Sequence, residues 1–226
     1  MAVSPESYPG LFRLIVADLR AKAKWMYEED RGLVLAKVLL TDGTMAMIWY
    51  RWMQWSRRYR LAPLEMLFNK INSFFCNCII GRGAEFGPGF VLIHSTGVVI
   101  NGTVRGGANV FLEHQVTIGA ERRQAPVLGN DIFIGAGAKI IGSVTIGDGA
   151  CIGSNSVINR SVKPYEIVAG NPAIHVRFRF PQNIIDDLLK IKWWNWETVK
   201  IKKNCILLLN DDITKSINEL KALSEK

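Results

Sequence analysis

The sequence predicts a parallel β-helix with α-helical flanks, on three observations. Thirteen of fourteen positions in one six-residue register carry a large aliphatic or aromatic side chain: Ile80, Phe86, Leu92, Val98, Val104, Val110, Val116, Leu128, Ile134, Ile140, Ile146, Ile152 and Ile158, with Arg122 alone breaking the run. Glycine follows the anchor in Ile80-Gly81, Phe86-Gly87, Leu128-Gly129, Ile134-Gly135, Ile146-Gly147 and Ile152-Gly153. Four residues beyond the anchor the side chain is small at Ala84, Thr96, Ala108, Ala138, Ala150 and Ser156. A hexad of this kind is one short strand and one corner. Three hexads close a triangular coil, and stacked coils bury the anchors in a prism. Small residues fit where the walls converge, and glycine lets the backbone turn.

Residues 1–78 read as an α-helical N-terminal domain. From Tyr8 to Tyr27 the apolar residues Leu11, Leu14, Ile15, Leu19, Ala23 and Met26 recur close to helical spacing, with Ser4-Pro5-Glu6 as a helix start. A second helical run follows Asp30, and Asp42-Gly43 interrupts it. Thr44 to Phe75 is rich in Trp, Met and Arg, including Trp49, Trp52, Trp55, Arg57 and Arg58. These aromatics are expected to pack the helices against the prism or another subunit. The second reading is a basic aromatic surface resting peripherally on a membrane.

Residues 79–173 form the repeat domain, in which Gly119 to Val127 spans the degenerate hexad. The register resumes beyond it without net shift, so this segment reads as a short excursion from one corner. Residues 174–226 read as a helical C-terminal tail, whose cluster Trp193-Trp194-Asn195-Trp196 is expected to cover the open end of the prism and its unpaired edge.

Composition is globular, with 49% hydrophobic and 21% charged residues. The net charge of +8 suits an anionic ligand or surface. No basic run with an aromatic stacking platform reads as a nucleic-acid site, so nucleic acid is not an expected partner. The four cysteines, Cys76, Cys78, Cys151 and Cys205, form no zinc spacing and read as free thiols of a reducing, cytoplasmic compartment, possession of which is compatible with work at the inner face of a membrane. No signal-peptide pattern or apolar run of spanning length is evident.

The chain has three histidines. His94 is the third residue of its hexad and His114 the fifth of a hexad one coil later. Both therefore fall on one wall in adjacent coils, ~4.8 Å apart across the ladder and ~6.6 Å along it. Neutral imidazole is suited to take a proton from an alcohol, which makes both candidates for catalysis. His175, beside Arg177 and Arg179, reads as structural. A metal site needs a further ligand, and no third histidine falls on the repeat, so no metal is expected.

The repeat resembles the hexapeptide acyltransferases, and within them serine O-acetyltransferase. The similar segments are Gly89 to Ile100, with His94-Ser95-Thr96-Gly97 inside it, Val116 to Gly119, Ile134 to Lys139 and Ala169 to Ala173, together with Asp18-Leu19-Arg20-Ala21 in the helical region. The resemblance covers about residues 10 to 175. It departs where that family carries charged or His positions for serine: this chain has Ile79, Ile93 and Ala125 there. His114 to Gly119 looks like the serine acetyltransferase-like proteins that O-acetylate sugars in polysaccharide pathways. Leu188 to Trp196 resembles the C-terminus of xenobiotic acetyltransferases.

The resemblance implies a left-handed β-helix, a homotrimer and acetyl-CoA as cosubstrate lying between neighbouring prisms. It implies direct transfer with His94 as general base. Because Ile79 and Ile93 cannot orient His94, Glu113 or a backbone carbonyl is expected to do so. Gly119, Ala136, Gly142 and Ser154 are candidate contacts for the pantetheine and adenine, and Lys139, Lys163 and Arg177 for the CoA phosphates. The expected activity is O-acetylation of a sugar or polysaccharide hydroxyl. The alternatives are serine O-acetylation for cysteine biosynthesis and a non-catalytic β-helix scaffold.

Overall fold

The computed structural model describes residues 10–122, 124–192, 196, 200, 203, 204, 207 and 213–224. They fall into two compact units, Met1–Arg177 and Phe178–Lys226. The first opens with four helices, α1 (Leu11–Tyr27), α2 (Leu33–Leu39), α3 (Thr44–Arg58) and α4 (Ala62–Phe75). Asp42-Gly43 does part α2 from α3, as the sequence predicts. Among the described residues no single helix is long and apolar enough to cross a membrane.

Fifteen short strands follow. These are β1 (Ile79–Ile80), β2 (Glu85–Phe86), β3 (Val91–Leu92), β4 (Val99–Ile100), β5 (Arg105–Gly106), β6 (Val110–Leu112), β7 (Thr117–Gly119), β8 (Val127–Leu128), β9 (Ile132–Ile134), β10 (Lys139–Ile141), β11 (Thr145–Ile146), β12 (Cys151–Ile152), β13 (Val157–Ile158), β14 (Glu166–Gly170) and β15 (Ala173–Phe178). They stack into three walls ordered β1-β4-β7-β10-β13, β2-β5-β8-β11 and β3-β6-β9-β12-β14-β15. From β1 to β13 every third strand pairs in parallel, the pattern of a three-walled parallel β-helix, here of the left-handed class. All thirteen apolar anchors are buried, and Arg122 sits exposed in a tight excursion closed by reciprocal backbone bonds between Glu121 and Gln124.

The register differs from an unbroken hexad. Ile80 pairs with Ile100, Ile100 with Ile118, Ile118 with Ile140 and Ile140 with Ile158. The first coil thus carries two residues beyond three hexads, inserted between Leu92 and Ile100. The third carries four, inserted between Ile118 and Leu128. Together the insertions amount to one hexad, which is why they read as one degenerate repeat. The shifted frame looked regular because residues two apart on a strand face the same side: Val98 and Ile100 are both buried in the prism, as are Val116 and Ile118.

At the N-terminal end β1, β2 and β3 are edge strands, and their outward N–H and C=O groups need partners. The helices supply them with side chains. The Tyr50 hydroxyl donates to Ala84 O and accepts from Phe86 N. Arg51 donates to the carbonyls of Phe86 and Gly87, and Asn69 to that of Ile80. The Asp18 carboxylate accepts from Gly89 N and Phe90 N. Lys22 donates to the carbonyls of Leu92 and Ile93. The buried face of α1 is therefore Leu11, Leu14, Asp18, Lys22 and Ala23; Leu11, Leu14 and Ala23 lie on the expected packing stripe, while Met26, also expected there, is exposed. Edge satisfaction, not apolar periodicity alone, sets that face.

Of the aromatics, Tyr50 reaches Phe86 and Phe90 in the prism, and Trp25 stacks on Phe111 and Phe133 on its outer wall. Trp49, Trp52 and Trp55 pack among the helices. Helix α4 buries Glu65 and Asn72 and exposes Leu64, Met66, Leu67, Phe74 and Phe75. In the second unit, α5 (Gln182–Ile191) and α6 (Ile213–Ser224) contact each other, with Ile184, Ile185, Leu188, Ile217 and Leu220 buried. Trp193, Trp194 and Cys205 lie outside the described residues, as does Ser4-Pro5-Glu6. Lys200 lies over the Trp196 ring.

Candidate active site

The corner after β3 carries His94, and the equivalent corner in each later coil stacks upon it. Leu92 pairs with Leu112, Leu112 with Ile134 and Ile134 with Ile152. Two residues beyond each of these stand His94, His114, Ala136 and Ser154, in one column. The backbone ties the column together, since Gly137 N donates to His114 O and Asn155 N to Ala136 O. His94 and His114 are thus in direct register. The two-residue offset along the wall expected from a strict hexad is absent, because the first coil is two residues longer. Their rings lie 5.9 Å apart, centroid to centroid.

The partner of His94 comes from the helical region. Its Nδ1 is 3.1 Å from Asp42 Oδ2, and Ser95 Oγ is 3.5 Å from Asp42 Oδ1. Glu113, which the sequence reading expected to orient His94, lies instead with its carboxylate 3.6 Å from Nδ1 of its neighbour His114. The reason is direction: successive residues at the corner point different ways, and Asp42 is brought in from the side by α2 and α3. A carboxylate can only accept, so Nδ1 of His94 carries the proton and Nε2 presents its lone pair. That nitrogen can remove a proton from a bound hydroxyl.

Gly43 lets Asp42 come this close. It has φ +76°, and a Cβ there would sit 2.4 Å from the Leu92 carbonyl oxygen. Gly43→Ala is expected to cost about 2 kcal/mol and lower Tm by about 5 °C in a thermal melt, with loss of the Asp42–His94 contact. A melt within a degree of the parent contradicts this.

Around the dyad, Lys22 is fully buried and also donates to the Asp42 carbonyl. Burial lowers its pKa to about 8, against the opposing pull of the Asp42 carboxylate. Burial and the same carboxylate push the Cys76 thiol up, and burial in the core pushes Cys78 up to about 12, so both are free thiols rather than thiolates. His175 bonds Glu166, which also binds Arg160, as a brace at the end of the prism.

The other candidates divide. Lys139 flanks the column and donates to Gln115 O. Gly119 and Gly142 pair through their backbones at the far end of the β7 and β10 strands. Lys163 stacks over Gly147 on the third edge, and Arg177 is exposed on β15. Gly119, Gly142 and Lys163 therefore stand on other edges of the prism than His94. Sequence reasoning missed Asp42 and Lys22. Asp42-Gly43 was visible only as a helix break, and Lys22 carried no periodic signal. Among the described residues no group of three His, Cys, Asp or Glu is placed to share a metal ion.

Comparison with known proteins agrees with this architecture. Residues 125–160 match the family described as bacterial transferase hexapeptide (six repeats). A chloramphenicol acetyltransferase of Klebsiella aerogenes is 44% identical over 87 residues, 38% of this chain and 41% of that protein, so the match spans less than half of that relative's length. A serine acetyltransferase of Helicobacter pylori strain J99 is 31% identical over 152 residues, 66% of this chain and 83% of that protein. The crystal structure of serine acetyltransferase from Brucella abortus strain S19 in complex with coenzyme A superposes with a TM-score of 0.69 at 27% identity, covering 76% of this chain and 70% of that one. The chain belongs to the hexapeptide-repeat acetyltransferase family that includes the serine acetyltransferases.

Proposed function

We propose that the protein is an acetyl-CoA-dependent O-acetyltransferase acting on a hydroxyl of a sugar or polysaccharide precursor by direct transfer. The observation that carries this reading is the His94 imidazole held through Nδ1 by Asp42. His94 Nε2 takes the acceptor's hydroxyl proton as its oxygen attacks the thioester carbonyl carbon. The tetrahedral adduct collapses, the C–S bond breaks, and the departing CoA sulfur receives the proton from the imidazolium. Asp42 stabilises the imidazolium while it exists. The Brucella abortus relative, solved with coenzyme A, supports acetyl-CoA as the donor.

Charge supports an acceptor without a carboxylate. Each imidazole has a carboxylate against its Nδ1, Asp42 at His94 and Glu113 at His114. Lys22 is sealed from solvent, Ile93 is buried, and Ile79 offers only an apolar side chain. A serine carboxylate needs a cationic partner and would face two acids instead. The relatives named serine acetyltransferases favour serine as the second reading. The same proposal includes a homotrimer. His94 is half-exposed on a convex corner, and the apolar face of α4 needs a cover.

The test is CoA release from acetyl-CoA by purified protein with separate acceptors: sugars, sugar nucleotides, L-serine and chloramphenicol. Release is expected with a sugar or sugar nucleotide and not with serine. Serine-dependent release without a sugar response overturns the acceptor assignment, and no release with any hydroxyl acceptor favours a scaffold.

A further inference from the structure

Lys22, on α1, takes no part in the reaction proposed above, yet its ammonium ends at the two segments that build the dyad. It donates to the carbonyl of Asp42, to Leu92 O at 2.8 Å and to Ile93 O at 3.3 Å. An ammonium has three N–H donors, and all three are used. The Ile93 carbonyl belongs to the peptide bond that enters His94. The Asp42 carbonyl belongs to the residue whose carboxylate meets the imidazole. One fully buried side chain thus joins the main chain carrying the base to the main chain carrying its partner, across 52 residues of sequence.

We propose that Lys22 is a positioning residue for acetyl transfer: its ammonium locks the Asp42 and His94 backbones together so that the carboxylate holds the imidazole with Nε2 free. This rests on the reading of His94 as the base. The geometry favours it over simple edge capping. Capping β3 requires only the Leu92 and Ile93 carbonyls, whereas the bond to Asp42 fixes a loop outside the prism. The ammonium also places a positive charge behind the Asp42 carboxylate.

The charged and titratable groups around it come from each element packed there. Asp42 comes from the α2–α3 corner, with His94 from the prism beyond it. Cys76 stands on the link from α4 to β1, close enough to feel the Asp42 charge. Asp18, one turn earlier on α1, is committed to Arg51 of α3.

The test compares Lys22→Met, Lys22→Gln and His94→Ala by CoA release, thermal melting and the pH dependence of kcat/KM. Lys22→Met is expected to lower kcat by about tenfold or more while KM for acetyl-CoA stays within about twofold. Its acid limb is expected to move to higher pH, because the imidazolium loses a repelling charge. Lys22→Gln, which keeps two donors, is expected to recover part of kcat but not the acid limb. A folded Lys22→Met protein with kcat within about twofold of the parent and an unmoved acid limb overturns the proposal. If neither Lys22 variant folds, the wild-type protein decides: kcat is expected to fall above about pH 8 as Lys22 loses its proton, and a kcat flat to about pH 10 overturns it. His94→Ala separates the two claims. An active His94→Ala protein removes the base and this inference with it. An inactive one beside an undisturbed Lys22→Met removes this inference alone.

Discussion

Replacing His94 with alanine is expected to lower kcat for acetyl transfer by about 10²- to 10⁴-fold, the range that a positioned general base contributes. KM for acetyl-CoA is expected to change little, since the imidazole acts on the acceptor's proton. The fold should not confound the measurement. The His94 side chain is 50% exposed, bonds to Asp42 through Nδ1, and fills no part of the prism. A thermal melt within about 2 °C of the parent is expected, because exposed substitutions away from the core change stability by no more than a few tenths of a kcal/mol. Asp42→Asn serves as the companion. It keeps the geometry but loses the charge that stabilises the imidazolium, and its amide can donate to Nδ1 and favour the wrong tautomer, so a loss of up to about 10⁴-fold is expected. Steady-state CoA release on both variants checks this. A His94→Ala protein within about threefold of the parent would sink the assignment of His94 as base.

Arg51→Met is expected to have the largest effect on stability. The guanidinium lies wholly inside the protein and binds Asp18 through two nitrogens at 2.6 and 2.9 Å, Gln54 at 2.7 Å, and the carbonyls of Phe86 and Gly87. Methionine fills much of the volume but leaves the Asp18 carboxylate with only two backbone N–H partners, and two edge carbonyls with none from this side chain. Removing one member of a buried ion pair costs about 3–5 kcal/mol, equivalent to a Tm about 10 °C lower or more for a chain of this length.

The deficit should depend on pH with a definite sign. Burial pushes the Asp18 carboxyl up, and Arg51 with the Gly89 and Phe90 N–H groups pulls it back. Without Arg51 the folded-state value rises further above the unfolded one. A carboxyl raised in the folded state penalises folding above that value and ceases to do so as pH falls below the unfolded value. Melting curves of variant and parent should therefore converge as pH is lowered through the carboxylate range. A constant gap from neutral to acid pH would show that Asp18 carries no uncompensated charge in the variant.

Much of this architecture is legible in the chain itself because it is local. A hexad fixes a strand and a corner within six residues, so Ile80, Phe86 and Leu92 announce their walls without reference to any distant segment. The helical flanks and the break at Asp42-Gly43 are equally local. The frame was harder. Strand side chains alternate with a period of two, so Val98 and Ile100 both look like anchors, and two insertions amounting to one hexad left the pattern intact. Only the pairing of Ile80 with Ile100 revealed the longer first coil, and with it the alignment of His94 over His114.

The site divides along the same line. The sequence alone determined the β-helix, its aliphatic core and the two histidines on one wall, because repetition carries that information. Only the tertiary structure decided what holds His94. Asp42 is 52 residues away and belongs to no repeat, and it reaches the imidazole because Gly43 packs against the Leu92 carbonyl and Lys22 bridges the two backbones. Likewise the buried Asp18, Lys22 and Arg51 broke the expected apolar face of the helices, since the open edge of a β-helix demands hydrogen bonds that no periodicity in the helices records.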